Sequence, residues 1–327
     1  MKKLIFLEMA VLSALLVVAV LISARLDQPT FSQGNISASS NATDTTEETQ
    51  TEAVQTGPTW NTYPEDRQIT AKQYFVYDCK ARTYLLNSGA EDDRVYPASI
   101  TKLFTAYVAM QYLHPHTYYT VGDALDMVVP GSSVAKLQKG DILTARQLIE
   151  GMLLSSGNDA AYMLACEAGR VIKGQPDLDA ASAAQAFVDQ MNKWAKAMGM
   201  LNTHFVNPDG IHDPDHYSTI KDLTTLATIC LGNNTIMQNA STPEADIKLH
   251  EETVVWKNTN ALINPTSDHY CPYAIGLKTG QTPNAGSCLL SAFRKDEQFL
   301  VIGVFGCPEE TDRFDDTLQL FNQFVLD

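Results

Sequence analysis

Three short strings, Ser99-Ile100-Thr101-Lys102, Ser156-Gly157-Asn158 and Lys278-Thr279-Gly280, hold the residue types from which a nucleophile, a base and an anion anchor can be assembled. Three residues apart on a helix, Ser99 and Lys102 share a face and lie within reach of each other. A serine hydroxyl becomes an effective nucleophile only when a neighbouring base takes its proton. Lys102 serves as that base only with a neutral amine, a state that burial or a second nearby cation favours by depressing its pKa. Lys278 is the obvious second cation. At the start of a helix, Ser99 also sits in the positive field of the N-terminus, which stabilises developing negative charge.

Ser156-Gly157-Asn158 falls at a break between two helical patterns, so its side chains project from a loop. There Ser156 is placed to relay a proton between Lys102 and a leaving amine, and Asn158 to hydrogen-bond a substrate amide. Lys278-Thr279-Gly280 ends an apolar strand pattern. Lys278 and Thr279 suit a carboxylate, Gly280 admits a close-lying substrate backbone, and the N–H of Gln281 with that of Ser99 would form an oxyanion hole. The candidate catalytic residues are therefore Ser99, Lys102 and Ser156, and the candidate binding residues Asn158, Lys278, Thr279, Gly280 and Gln281. Taken singly, each string has an ordinary structural explanation: an N-cap serine with a solvated lysine, a C-cap glycine before an N-cap asparagine, a hairpin turn. Their joint occurrence, with apolar Ala98, Leu103 and Phe104 flanking the first, argues for one site of serine acyl transfer.

The elements that must position these residues are legible in the spacing. The β-rich runs around Tyr74 to Val76 and Tyr84 to Leu86 predict a hairpin. A helix is predicted from Ser99 to Leu113, after the boundary set by Pro97. Thr144-Ala145-Arg146-Gln147 reads as a capping box that starts a helix running through Leu153; a second helix restarts at Asn158. Phe187, Met191, Trp194 and Met198 mark a helix that Gly199 ends, and Ile220, Leu223, Leu226 and Ala227 mark another. Strands follow at Tyr273 to Thr279, Ser287 to Phe293 and Phe299 to Phe305, then a closing helix with Phe314, Leu318 and Phe321. Strands at both ends and helices between predict one α/β domain whose terminal strands pair in a mainly antiparallel sheet.

The 327-residue chain is 45% hydrophobic and 19% charged, ordinary values for a packed globular protein. A net charge of -15 and the lack of any Lys/Arg cluster exclude a nucleic-acid partner. No metal-ligand spacing of Cys or His is present, so neither metal nor cofactor is expected. Met1-Lys2-Lys3 followed by an apolar run from Leu4 to Ala24 predicts an export signal or an uncleaved membrane anchor over residues 1–26. Residues 27–67 are rich in Ser, Thr, Asn, Gln and Glu and read as a disordered polar linker, which leaves 68–327 as the catalytic domain. Cys166, Cys230 and Cys288 lie inside apolar patterns, where they behave as small hydrophobes, so the six cysteines are expected to be mostly reduced.

The strings and their surroundings resemble one family closely. The three motifs, with Ser155 to Ala161, Met198 to Gly210 and Gly276 to Gly286, are similar to the serine-type D-alanyl-D-alanine carboxypeptidases, the low-molecular-mass penicillin-binding proteins of bacteria. That resemblance runs from about Tyr74 to the C-terminus. It implies a β-lactamase/transpeptidase-like fold, with an all-helical subdomain inserted between the terminal strands. It implies Ser99 as the acylated nucleophile and Lys102 as its base. Ser156 and Asn158 form the second motif, and Lys278 with Thr279 anchors the terminal carboxylate. The implied substrate is a peptidoglycan stem peptide ending in D-Ala-D-Ala, with β-lactams as covalent inhibitors. His204, Asn207 and Asp209 are expected to build a structural loop near the cleft. Many members continue into a β-rich domain and an amphipathic membrane helix; here the N-terminal segment is the expected attachment, with the body outside the cytoplasm at the membrane or in the cell wall. Gln281 stands where relatives often carry an aromatic residue or His. A class A β-lactamase would need an E-x-x-L-N segment that this chain lacks, so slow hydrolysis of bound penicillin is expected. A non-catalytic penicillin-binding sensor or scaffold is the remaining alternative.

Overall fold

The computed structural model describes residues 68–250 and 252–325, so the expected signal or anchor at 1–26 and the linker at 27–67 lie outside the described residues. Strands β1 (Gln73–Asp78) and β2 (Thr83–Asn87) form the expected hairpin, and β3 (Arg94–Val95) leads to the first helix, α1 (Thr101–Ala109). Strands β4 (Tyr118–Thr120) and β5 (Ile142–Thr144) pair ahead of α2 (Ala145–Leu154), α3 (Asn158–Lys173) and α4 (Ala180–Ala197). After β6 (Ser218–Thr219) come α5 (Ile220–Leu231), α6 (Asn234–Ala240) and a hairpin of β7 (Glu244–Leu249) with β8 (Glu252–Lys257). Strands β9 (Ala274–Thr282), β10 (Gly286–Lys295) and β11 (Gln298–Cys307) precede α7 (Asp312–Phe324).

The main sheet has the order β2-β1-β11-β10-β9, all pairs antiparallel, and β1 meets β11 as the sequence pattern required. Period-two alternation feeds two cores. Phe75, Leu290, Val301 and Phe305 face the helices, whereas Val76, Leu289, Phe293, Ile302 and Val304 pack beneath Phe314, Leu318 and Phe321 of α7. Phe293 and Phe321 stack at 4.4 Å. The Asp316 carboxylate of α7 accepts the N–H groups of Thr70 and Ala71 at 2.9 and 2.8 Å, which fastens the start of the domain to its end.

Thr144 and Gln147 form the reciprocal cap that the sequence predicts. The helix expected over Ser99 to Leu113 is shorter: a 3-10 turn covers Ala98–Ile100, the α-helix spans Thr101–Ala109, and turns complete it to Leu113. Helix α6, with seven residues, offers too little periodicity to predict, whereas the alternation of charged and apolar residues along β7 and β8 is a strand signal on a largely exposed ribbon. All six cysteines are free, five buried and Cys79 half-buried, in keeping with the expectation of reduced thiols.

Helix α3, which carries Asn158 at its first position, is buried over most of its length and packs on α4. Their approach is close enough that a Cβ at Gly169 would lie 1.9 Å from the Ala183 carbonyl oxygen. Gly169→Ala should therefore lower unfolding free energy by about 1–3 kcal/mol in denaturant titration. Gly232→Ala, where φ is -81° and the nearest atom is 3.6 Å from the new Cβ, should change it by less than about 0.5 kcal/mol. Equal effects at the two positions would contradict this account of the α3-α4 contact.

Candidate active site

Two glycines close on the turn that presents Ser99. A Cβ on Gly210 (φ +86°) would lie 1.9 Å from the Ala98 carbonyl oxygen, and one on Gly280 would lie 2.6 Å from that of Pro97. The turn itself carries Ala98 at φ +48°, a left-handed conformation that only its surroundings can enforce. Gly280 is thus required by the protein's own fold, independently of the substrate approach expected of it. The backbone that needs its missing side chain is the protein's own Pro97-Ala98-Ser99 segment.

The loop that supplies Gly210 docks on α1 through three consecutive contacts. Thr105 Oγ1 donates to Pro208 O at 2.6 Å, Lys102 Nζ donates to Asp209 O at 2.6 Å, and Thr101 Oγ1 meets His216 Nε2 at 2.8 Å. His216 Nδ1 accepts the Val206 N–H at 3.2 Å, so Nε2 carries the ring proton. Burial pushes His216 down to about 3, and the ring is a neutral strut. Asn207 pins the same loop by accepting from Gly210 N–H and donating to Ile211 O. The structural part expected for Asn207 and Asp209 is what the geometry gives. The Asp209 carbonyl, however, also holds the lysine.

Lys102 Nζ lies 2.8 Å from Ser99 Oγ, and its side chain has no exposure. Burial pushes its amine down to about 8, against the opposing pull of the Asp209 and Asp159 carboxylates. A protonated amine donates to Ser99 Oγ at this distance; a neutral one accepts the hydroxyl proton. Burial and a second cation were both expected causes of that depression, and burial is the one that lowers it. Lys278 is itself held well below the usual lysine range, first by burial and then by the charges of Lys102 and Arg313.

Ser156 has φ +56° and stands between α2 and α3 as expected, its hydroxyl making no hydrogen bond within the described residues. Its turn is held from below. The buried Asp159 carboxylate accepts the N–H groups of Ala135, Leu137 and Ala160 at 2.7, 3.0 and 2.8 Å, and Trp256 donates to Ala135 O. Asn158 N–H donates to Ser133 O at 2.8 Å, while its side-chain Oδ1 is buried without a partner among the described residues.

Before the third string, β9 is irregular: Gly276 and Leu277 have φ of +121° and +79°. The distortion re-aims Lys278, as bulges do at sheet edges. Lys278 Nζ donates to Thr259 Oγ1 at 3.1 Å and Thr279 Oγ1 at 3.3 Å, and those two hydroxyls are 2.5 Å apart.

A pocket of about 130 Å³ brings together Ser99, Ser156, Thr279, Gly280 and Gln281 with four residues that sequence reasoning missed, Ser133, Thr259, Glu310 and Arg313. Lys102, Asn158 and Lys278 are buried and are not among the lining residues. Arg313 is buried, donating to Gly280 O at 3.3 Å and to Glu310 Oε1 at 2.6 Å. Burial lowers its guanidinium's pKa, and Glu310 opposes the shift. The only hint of Arg313 in the sequence was a cation beside Phe314 on the apolar stripe of α7. A larger concavity of about 690 Å³, bordered by Tyr77, Cys79, Met198 and Phe299, holds none of the three strings. Chemically, the smaller pocket offers a hydroxyl beside a depressed amine and a cation-lined wall, the parts of an acyl-transfer site for an anionic substrate.

Residues 60–309 match the D-alanyl-D-alanine carboxypeptidase family. A D-alanyl-D-alanine carboxypeptidase of Streptomyces sp. strain K15 is 34% identical over 73% of this chain and 84% of its own length. One from Bacillus subtilis is 30% identical over 68% of this chain, a match that spans 54% of that protein. Among solved structures, the Streptomyces K15 DD-transpeptidase superposes with a TM-score of 0.70 at 32% identity, covering 78% of this chain and 97% of that one. A D-alanyl-D-alanine carboxypeptidase from Mycobacterium tuberculosis gives 0.67 at 27% identity, over 80% of this chain and 93% of that one.

Because Gly280 abuts the Ser99 turn, Gly280→Ala should push β9 from it and slow acylation of Ser99 by a fluorescent penicillin about 100-fold or more. Circular dichroism should remain unchanged. Unimpaired labelling would show that the glycine is not what sets this approach.

Proposed function

Because this chain belongs to the D-alanyl-D-alanine carboxypeptidase family, and is by that membership a serine hydrolase, we propose that it removes the terminal D-alanine from peptidoglycan stem pentapeptides through an acyl-enzyme on Ser99. One observation carries the reading: Ser99 Oγ lies 2.8 Å from a fully buried lysine amine, in a pocket whose wall holds Arg313 and Thr279.

In the proposed reaction, neutral Lys102 takes the Ser99 hydroxyl proton as Oγ attacks the carbonyl of the penultimate D-alanine. The N–H groups of Ser99 and Gln281 face the developing oxyanion. As the peptide bond breaks, the proton passes through the unpartnered Ser156 hydroxyl to the leaving amine, and free D-alanine departs. Water then attacks the ester, its proton returning by the same groups, to release the shortened peptide and regenerate Ser99. Asn158 hydrogen-bonds the substrate amide. The terminal carboxylate is held by Thr279 and Arg313, with Lys278 and Gly280 supporting that wall. A β-lactam acylates Ser99 in the same position. The lack of an E-x-x-L-N segment supports slow loss of that adduct. Neither nucleic acid nor a metal or other cofactor enters the scheme.

The cell wall substrate puts the body of the protein outside the cytoplasm. We read residues 68–327 as the catalytic domain, 27–67 as a tether, and 1–26 as the export signal or membrane anchor that places the enzyme at the membrane's outer face or in the wall. Among the described residues no helix is long and apolar enough to cross a membrane.

Ser99→Ala should abolish both penicillin labelling and release of D-alanine, followed by mass spectrometry of a pentapeptide ending in D-Ala-D-Ala. Retained turnover would refute the assignment of the nucleophile. Because the neutral amine is the active form, kcat/KM should climb with pH until it levels above about 8. A profile flat from pH 6 to 9 would exclude Lys102 as the base.

A further inference from the structure

Glu310 is the anomaly in a pocket read as receiving an anionic peptide end. It contributes the one carboxylate among the lining residues, in a chain that already carries a net charge of -15. Its side chain is 66% exposed, while that of its partner Arg313 is 4% exposed. Of the guanidinium nitrogens, Nη1 is committed to Gly280 O, Nη2 to Glu310, and Nε has no partner among the described residues. A buried guanidinium is stabilised by a nearby counter-charge. Glu310 supplies it from the short segment between β11 and α7, a position outside any helix or strand.

We propose that Glu310 is a resident stand-in for the substrate's terminal carboxylate, pairing with Arg313 in the empty site and giving it up when the peptide carboxylate arrives. The inference rests on the reading of this pocket as the carboxylate end of the peptide site. Binding then exchanges one carboxylate for another, and affinity reflects the difference between them. A ligand whose end is neutral has nothing to offer Arg313 and leaves the resident pair in place. Glu310 thereby sets KM for free-acid peptides by acting through Arg313, without touching the reacting atoms. An exposed ion-pair partner of this kind is worth under about 1 kcal/mol, so the effect should be a few-fold.

The test compares the full chain with its Glu310→Gln variant on diacetyl-L-Lys-D-Ala-D-Ala and on the same peptide with an amidated C-terminus. The variant should lower KM for the free acid about threefold and leave the amide's KM where it was, with the difference shrinking at high salt. A raised KM for the free acid, or an equal change for both peptides, overturns the proposal. If the unaltered protein releases no D-alanine, the functional reading fails, and calorimetric binding of the free-acid peptide decides this inference separately. Tighter binding to Ser99→Ala/Glu310→Gln than to Ser99→Ala supports it; equal or weaker binding overturns it.

Discussion

Burying the Lys102 amine without a full counter-ion is the constraint from which the rest of the site follows. Its contacts are a hydroxyl and a carbonyl, both able to accept from a protonated amine but neither carrying charge. In water this side chain binds a proton up to about pH 10.5, and inside the fold only to about pH 8. Keeping it there destabilises the native state by on the order of 3 kcal/mol at neutral pH. The unfolded chain holds the extra proton, so that penalty is complete below pH 8 and fades as pH rises toward 10.5. Acidic neighbours temper it: Asp209 and Asp159 stand close enough to raise the amine, and removing them from the fold would depress it further. Had Lys102 a bonded carboxylate instead, it would stay protonated and could not accept from Ser99.

Such a penalty has to be offset by a rigid frame, and the frame is backbone packed on backbone. Gly210 and Gly280 both pack on the Ser99 turn, one from the loop that docks on α1 and the other from β9. Left-handed residues stand at each of the three strings: Ala98 beside Ser99, Ser156 itself, and Leu277 beside Lys278. Strain gathered in this way marks a site over-determined by its surroundings. The burial of α3 serves the same end, since Asn158 and Asp159 at its start fix the loop that carries Ser133 and Ala135.

Most of the architecture was legible because it rests on local signals. The Thr144 capping box, the helical restart at Asn158 and the alternating strands after Tyr273 each announce themselves within a few residues. The three strings that hold Ser99, Ser156 and Lys278 do likewise. What escaped depends on contacts distant in sequence. Arg313 reaches the pocket from the C-terminal helix, Thr259 from an exposed turn, and Ser133 from a loop held by Asp159. Apart from the place of Arg313 beside Phe314, nothing near these residues in sequence sets them apart. Gly210 looks like any turn glycine until Ala98 is seen against it. Gly280 was legible as a point of close approach, but that Pro97 is one of the groups approaching it is seen only in the tertiary structure.

The wall facing Ser99 is therefore a composite of cations restrained in different ways. Lys278 is buried and held low, with two threonine hydroxyls as its neighbours, while Arg313 keeps its charge beside Glu310. The proposed role of Lys102 depends on its amine losing its proton near pH 8 instead of near 10.5. Selective 15N labelling of lysine with NMR titration of the Lys102 Nζ measures that directly. A midpoint near 8 is the predicted result, and titration at or above 10 would contradict the whole arrangement.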